Sequence, residues 1–138
     1  GGTQGIGAET ALKLAREGAH ISLVARNTDD QSLIDEIRSL GRNCVLLKGD
    51  MSKPEDCERI VAETIAALGD IDILVHSAGG AAPGSLLNGA KDVWYSAFDI
   101  HIHAVFHLCM AAVPSMKRKG SGGIILISSA AGLRGVKG

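Results

Sequence analysis

Short apolar runs alternate with amphipathic stretches along almost the whole of this 138-residue chain, and that alternation constrains its fold more than any other feature. HISLVA (20–25), CVLLK (44–48), IDILVH (71–76) and IILISS from Ile124 are short and nearly continuously apolar, the pattern of strands covered on both faces. A helix follows Gly5, with Ile6, Ala8, Ala11, Leu12, Leu14 and Ala15 on an apolar face and Gly18 as its stop. Further helices are expected over 29–40, ending at Gly41, and over 54–68, with Ser52 as cap, Pro54 in the first turn and Gly69 beyond the end. After a loop at 79–87, a helix begins before Trp94, and a long one runs over 98–117, with Pro114 near its end and Gly120, Gly122 and Gly123 breaking the pattern. Strands and helices in strict turn predict an α/β fold with a doubly wound parallel sheet, whose ligands bind at the carboxyl ends of the strands.

The chain opens on GGTQGIG, where Gly1, Gly5 and Gly7 stand closely spaced just as a helix begins. Glycine tolerates positive φ and, lacking Cβ, lets the backbone approach a pyrophosphate closely. The amides and dipole of the following helix would then face the phosphates. The spacing is G-x-x-x-G-x-G and not the G-x-G-x-x-G dinucleotide fingerprint, so the glycines gain their meaning from the strands and helices around them.

With 46% hydrophobic residues, the chain has the composition of one soluble domain with a sizeable core, spanning residues 1–138. A net charge of -1 gives no electrostatic case for nucleic acid, and Lys117, Arg118 and Lys119 read as a solvated helix end. No apolar segment reaches membrane-spanning length uninterrupted, and no secretory leader is seen, so no membrane partner is expected. Cys44, Cys57 and Cys109 lack metal-site spacing and read as buried thiols of a cytoplasmic protein. His103 and His107 lie one helical turn apart but lack an HExxH pattern or a further ligand, so no metal is expected.

Taken together, GGTQGIG, HSAG (76–79), DIHIHAVF and GGIILISSAAG resemble, in order and spacing, the classical short-chain dehydrogenase/reductase family, with likeness to a 3-oxoacyl thioester reductase among its members. The resemblance implies that Gly1, Thr3, Gln4, Gly5, Ile6 and Gly7 surround the cofactor's pyrophosphate and ribose. It implies that Asp50, followed by Met51, meets the adenine edge, and that Ser77, Ala78 and Gly79 border the cofactor through their backbones. Ser77 stands where the family usually has asparagine. At the end of the second family strand an NAD site usually carries a carboxylate, and this chain has Ala25 followed by Arg26. A guanidinium suits the extra phosphate of NADP, so NADP is the expected cofactor, with NAD as the alternative.

The resemblance assigns Ser129 to the substrate oxygen, with Ser128 as its neighbour in register. It also places His101 where the family usually has an asparagine that helps organise a water-linked proton path. The family's acid/base tyrosine and lysine would fall beyond Gly138. The sole tyrosine, Tyr95, is followed four residues later by Asp99 and does not match their motif. The implied activity is interconversion of a ketone and a secondary alcohol by hydride transfer, with 3-oxoacyl thioester reduction one instance. A noncatalytic cofactor-binding or structural protein is the alternative.

The family's strand order, 3-2-1-4-5, further implies a partial Rossmann-like domain, truncated at both ends. Its first strand, between HISLVA and IDILVH, and its C-terminal elements would then be absent, and the 138 residues alone would be inactive. The helix around Phe98–Met116 resembles one used in family dimerisation and implies a homodimer or homotetramer.

Overall fold

Glycine and proline punctuation sets most of the element ends. A computed structural model describes residues 1–85 and 87–134; Leu86, inside the expected 79–87 loop, lies outside the described residues. The strands are β1 (Ile21–Ala25), β2 (Cys44–Lys48), β3 (Ile73–His76) and β4 (Gly123–Leu126). The helices are α1 (Gly5–Arg16), α2 (Ser32–Ser39), α3 (Pro54–Leu68), α4 (Lys91–Phe98) and α5 (Ala104–Lys119). A π-helical turn, Asp99–His103, joins α4 to α5, and a 3-10 turn, Ala130–Gly132, follows β4. Pro54 opens α3, and Gly120, at φ 70, ends α5 in the left-handed region.

Both strand pairs are parallel. β1 runs beside β2 with Ile21 opposite Cys44 and Ala25 opposite Lys48, and β3 runs beside β4 with Ile73 opposite Gly123 and His76 opposite Leu126. Among the described residues the two pairs share no ladder, and a cavity of about 360 Å³ between them is lined in part by Leu23, Val24, Leu74 and Val75. Ala11, Leu12 and Ala15 of α1 and Ile34 and Ile37 of α2 pack with Ile21, Leu23 and Cys44 in one core. In a second core, Cys57, Ile60 and Val61 of α3 meet Ala104, Leu108 and Ala112 of α5. The architecture is a doubly wound, Rossmann-like α/β fold.

The expected partial fold, truncated at both ends, is corrected by these elements. The structure carries a first strand, β1, and at the C-terminal side the π turn, α5 and β4. The sequence reading required a strand ahead of the glycine segment. In the structure that segment docks directly on β1, with Gly1 N and Gly2 N both bonded to the Val24 carbonyl at 3.1 and 3.2 Å.

Local chemistry explains the smaller departures. Helix α2 starts three residues later than its expected position 29, because Asn27 Oδ1 accepts from Asp29 N at 2.8 Å and Asp30 Oδ1 accepts from Ser32 N at 2.9 Å. Such side-chain turns compete with helix formation. Ser52 does not cap α3; its hydroxyl donates to Asp50 Oδ1 at 2.8 Å, and Lys53 is the capping residue. From Lys91 to Lys119 the chain is helical without a break, long and apolar enough by composition to cross a bilayer, which the sequence reading did not anticipate. Its α5 portion instead packs against α3 through Ala104, Leu108 and Ala112.

Ser115 ties α5 to the start of β3. It is 1% exposed, accepts from Ile71 N at 3.0 Å and donates to Asp70 Oδ1 at 2.7 Å. Ser115→Ala leaves the Ile71 amide unpaired and is expected to lower stability by about 1–3 kcal/mol, read as a lower urea midpoint with unchanged slope. The Ser115 hydroxyl first, and Arg118 next, hold the Asp70 carboxyl below its ordinary range. A carboxyl lowered in the folded state adds stability that is present above its unfolded value and lost as pH falls through the folded one. The substitution is therefore also expected to flatten the acid loss of stability below about pH 4.

Candidate functional site

The glycine segment forms a rim between the carboxyl ends of β1 and β3. Gly5, at φ 52, makes the left-handed turn into α1. Gly1 and Gly7 serve close approach instead: a Cβ on Gly1 would lie 2.6 Å from Ala78 N, and one on Gly7 would overlap the Gly1 carbonyl and lie 2.6 Å from Ser77 Oγ. Ser77 Oγ donates to that same carbonyl at 3.0 Å, so serine here ties the turn after β3 to the glycine segment. Gln4 precedes α1 without a side-chain cap, and the first turn of α1 carries no acidic residue. The helix head is thus bare of competing oxygens, an arrangement suited to an anion. Ile6, read as part of the apolar helix face, is 62% exposed and belongs to the rim. Thr3 is half-buried on the same segment.

Arg26 and Asp50 stand just beyond β1 and β2, whose ends Ala25 and Lys48 are paired. Asp50 Oδ1 accepts from Ser52 N and Ser52 Oγ, at 3.0 and 2.8 Å, while Asp50 N donates to Asp56 Oδ2 at 2.7 Å. The Ser52 backbone bond, with Arg26 and Lys53 contributing, holds the Asp50 carboxyl below its ordinary range. Arg26 is exposed and close enough for its charge to act on Asp50. Met51 places its side chain in the second core, not on the rim.

Beyond β3 and β4 lie the candidate catalytic groups. Ile127 N donates to the His76 carbonyl at 3.0 Å, which carries the pairing to the edge of the Ser128–Ser129 segment. Both serines are exposed, and Ser129 Oγ accepts from Ala131 N at 3.2 Å, leaving its own hydrogen to donate elsewhere. His101, in the π turn, donates from Nε2 to the Gly80 carbonyl at 3.1 Å. Gly79 makes this possible, since a Cβ there would lie 2.9 Å from His101 Nδ1. A second cavity, of about 270 Å³, is lined by Gly80, Ala82, Asp92, Ser96 and His101. Tyr95 is 65% exposed on α4.

Sequence reasoning passed over His76, naming it only as the head of HSAG. It is 6% exposed, and its Nε2 donates to the Ile100 carbonyl at 3.0 Å. Burial lowers its pKa, with the Ile100 bond acting in the opposite direction. The available signal was a lone imidazole closing an apolar strand. His103 pairs with Asp99 at 3.0 Å and His107 faces Glu58 at 3.9 Å; among the described residues no three His, Cys, Asp or Glu side chains converge as a metal site.

A glycine turn at the head of a helix, set between strand ends of a doubly wound sheet, defines a dinucleotide-binding α/β domain. The model for short chain dehydrogenase matches residues 1–138, and the chain belongs to the short-chain dehydrogenase/reductase family. It is 31% identical over 138 residues to an L-rhamnose 1-dehydrogenase (NAD(P)(+)) of Sphingomonas sp. strain SKA58, covering 98% of this chain and 54% of that protein. It is 27% identical over 140 residues to a 3-oxoacyl-(acyl-carrier-protein) reductase of Staphylococcus epidermidis, covering all of this chain and 57% of that one. The crystal structure of a metagenomic short-chain oxidoreductase in complex with NADP superposes with a TM-score of 0.91 at 32% identity, covering 99% of this chain and 62% of that one. The chain therefore spans about half the length of the curated relatives it matches.

Gly7→Ala is expected to lower stability by about 1–3 kcal/mol, because neither the Gly1 carbonyl nor the Ser77 hydroxyl has room to withdraw. Gly80→Ala, where an added Cβ meets nothing within 4 Å, is the control and is expected to stay within about 0.5 kcal/mol of the parent in thermal or urea unfolding.

Proposed function

We propose that the whole protein is an NADP-dependent oxidoreductase that interconverts a ketone and a secondary alcohol. The observation that carries this reading is the Gly1–Gly7 rim, where Gly1 and Gly7 let the segment pack against Ser77 and Ala78 and the head of α1 carries no side-chain cap. The residues present fit the cofactor's charges. Gly1, Thr3, Gln4, Gly5, Ile6 and Gly7 would surround the pyrophosphate and neighbouring ribose. Arg26, at a strand end with no carboxylate at Ala25, would hold the ribose phosphate. Asp50 keeps one oxygen beyond its Ser52 bonds for the adenine edge. Ser77, Ala78 and Gly79 would line the passage toward the reacting end. The L-rhamnose dehydrogenase relative is named for either cofactor and the metagenomic structure for NADP; Arg26 favours NADP here.

When bound, the nicotinamide donates or accepts the hydride. The chain's own part is to place and polarise the substrate oxygen. Ser129, whose lone pair is engaged by Ala131 N, keeps its O–H to donate to that oxygen and to stabilise alkoxide character as it develops. His101 offers a second ring nitrogen beyond its Gly80 bond, suited to a water-linked proton path. The 3-oxoacyl reductase among the relatives supports a 3-oxoacyl thioester as one substrate, and the small cavity beside His101 is a candidate for its reacting end.

The exposed faces of α4 and α5 support a homodimer or homotetramer. Trp94, Phe98, Ile102, Phe106 and Met110 recur every fourth residue and are 40 to 63% exposed. One stripe of this kind on a long helix suits a self-complementary contact in a cytoplasmic oligomer.

Fluorescence titration with NADPH and NADH tests the cofactor assignment. The protein is expected to bind NADPH more tightly than NADH, and Arg26→Ala to weaken NADPH about 10- to 100-fold with little effect on NADH, the size of a lost charge-assisted contact. Equal or tighter binding of NADH by the parent protein overturns the NADP assignment.

A further inference from the structure

We infer that His76 is a positioning residue for His101, acting through the carbonyl of Ile100; the inference rests on the reading of His101 as part of the reaction site. Three contacts meet at the end of β3. His76 Nε2 donates to the Ile100 carbonyl at 3.0 Å, His101 Nε2 donates to the Gly80 carbonyl at 3.1 Å, and Gly79 has no Cβ to obstruct the His101 ring. The first contact holds the residue immediately before His101; the second holds His101 itself. Between them lies a turn whose backbone is set in the π register, with Ala104 N bonded to the Asp99 carbonyl. A π turn is a rare single-turn bulge within an α-helix, frequent at functional sites. An imidazole N–H delivered from a buried strand end supplies Ile100 with a partner from outside the helix.

The two histidines differ in environment, and that difference separates their tasks. His76 is 6% exposed, so only its neutral form is favoured there, and donation to a carbonyl requires its hydrogen on Nε2. Burial disfavours an imidazolium there, and the neighbouring His101 acts in the same direction. His76 is therefore a fixed donor, whereas His101, exposed beside the small cavity, keeps Nδ1 beyond its Gly80 bond. An exposed imidazole on an irregular turn samples many orientations unless its backbone is held as well as its ring, and the His76–Ile100 bond holds the backbone one residue before it.

Histidine-selective 15N NMR of the protein tests this without a substrate. His76 is expected to lose its imidazolium form at a lower pH than a free imidazole does, and to be the Nε2–H tautomer when neutral. In His76→Leu, the His101 signals are expected to move to those of a free, averaging imidazole, and amide exchange over residues 99–104 to accelerate tenfold or more. His76→Gln, whose carboxamide reaches as far as Nε2, is expected to restore both readouts, and His76→Asn, which is shorter, to restore neither. If the Leu variant does not fold, the Gln and Asn pair still decides. Unchanged His101 signals and exchange in the Leu or Asn variant, or equal behaviour of Gln and Asn, overturns the inference. NADPH affinity of the parent protein is read separately: its absence defeats the cofactor reading while leaving the His76 dependence of His101 intact.

Discussion

The carbonyl group of Gly1 is the meeting point on which the site depends. Ser77 donates to it, and Gly7 leaves it room by having no Cβ. The adjoining amide of Gly2 anchors on the Val24 carbonyl. The two parallel strand pairs share no ladder among the described residues, so this contact joins them at their carboxyl ends while α3 and α5 join them through the second core. A single added methyl at Gly7 would strike both the carbonyl and the serine, because packed backbone has no rotamer by which to yield.

From that joint the electrostatics of the rim follow. An uncapped helix head, an exposed arginine and an aspartate held in its ionised form lie along one edge, where net charge alone would predict nothing. Asp50 stays ionised, with its Oδ1 engaged by the Ser52 turn and the Arg26 charge acting on it. At the other end, hydroxyl and imidazole groups replace formal charge. There the His76 and His101 rings are held by the carbonyls of Ile100 and Gly80.

Much of this architecture was legible in the sequence where punctuation was strong. Pro54 and Gly69 bracket α3, and Gly41 together with the apolar run CVLLK places β2, so both elements fall at the residues the pattern indicates. The pattern failed where side chains compete with the backbone: Asn27 and Asp30 delay α2, and Ser52 turns toward Asp50 instead of capping α3. Counting strands against the family order suggested a broken fold, since nothing in GGTQGIG reveals that its first amides bond to Val24. Glycine spacing pointed to the cradle but could not distinguish Gly5, which turns the chain, from Gly7, which admits a neighbour. The π turn and the His76–Ile100 bond were invisible for a related reason: each depends on a contact between segments far apart in the chain.

The central claim is that the rim joining β1 to β3 binds a nicotinamide dinucleotide along the carboxyl ends of the strands. Titration of the 15N-labelled protein with NADPH, followed by amide shifts, tests it most directly. The account predicts saturable changes concentrated at Gly2–Gly7, Arg26, Asp50 and Ser77–Gly79, with the amino ends of the strands near Ile21 and Ile73 unaffected. Changes confined to those amino ends, or no saturable change at the rim, would contradict it.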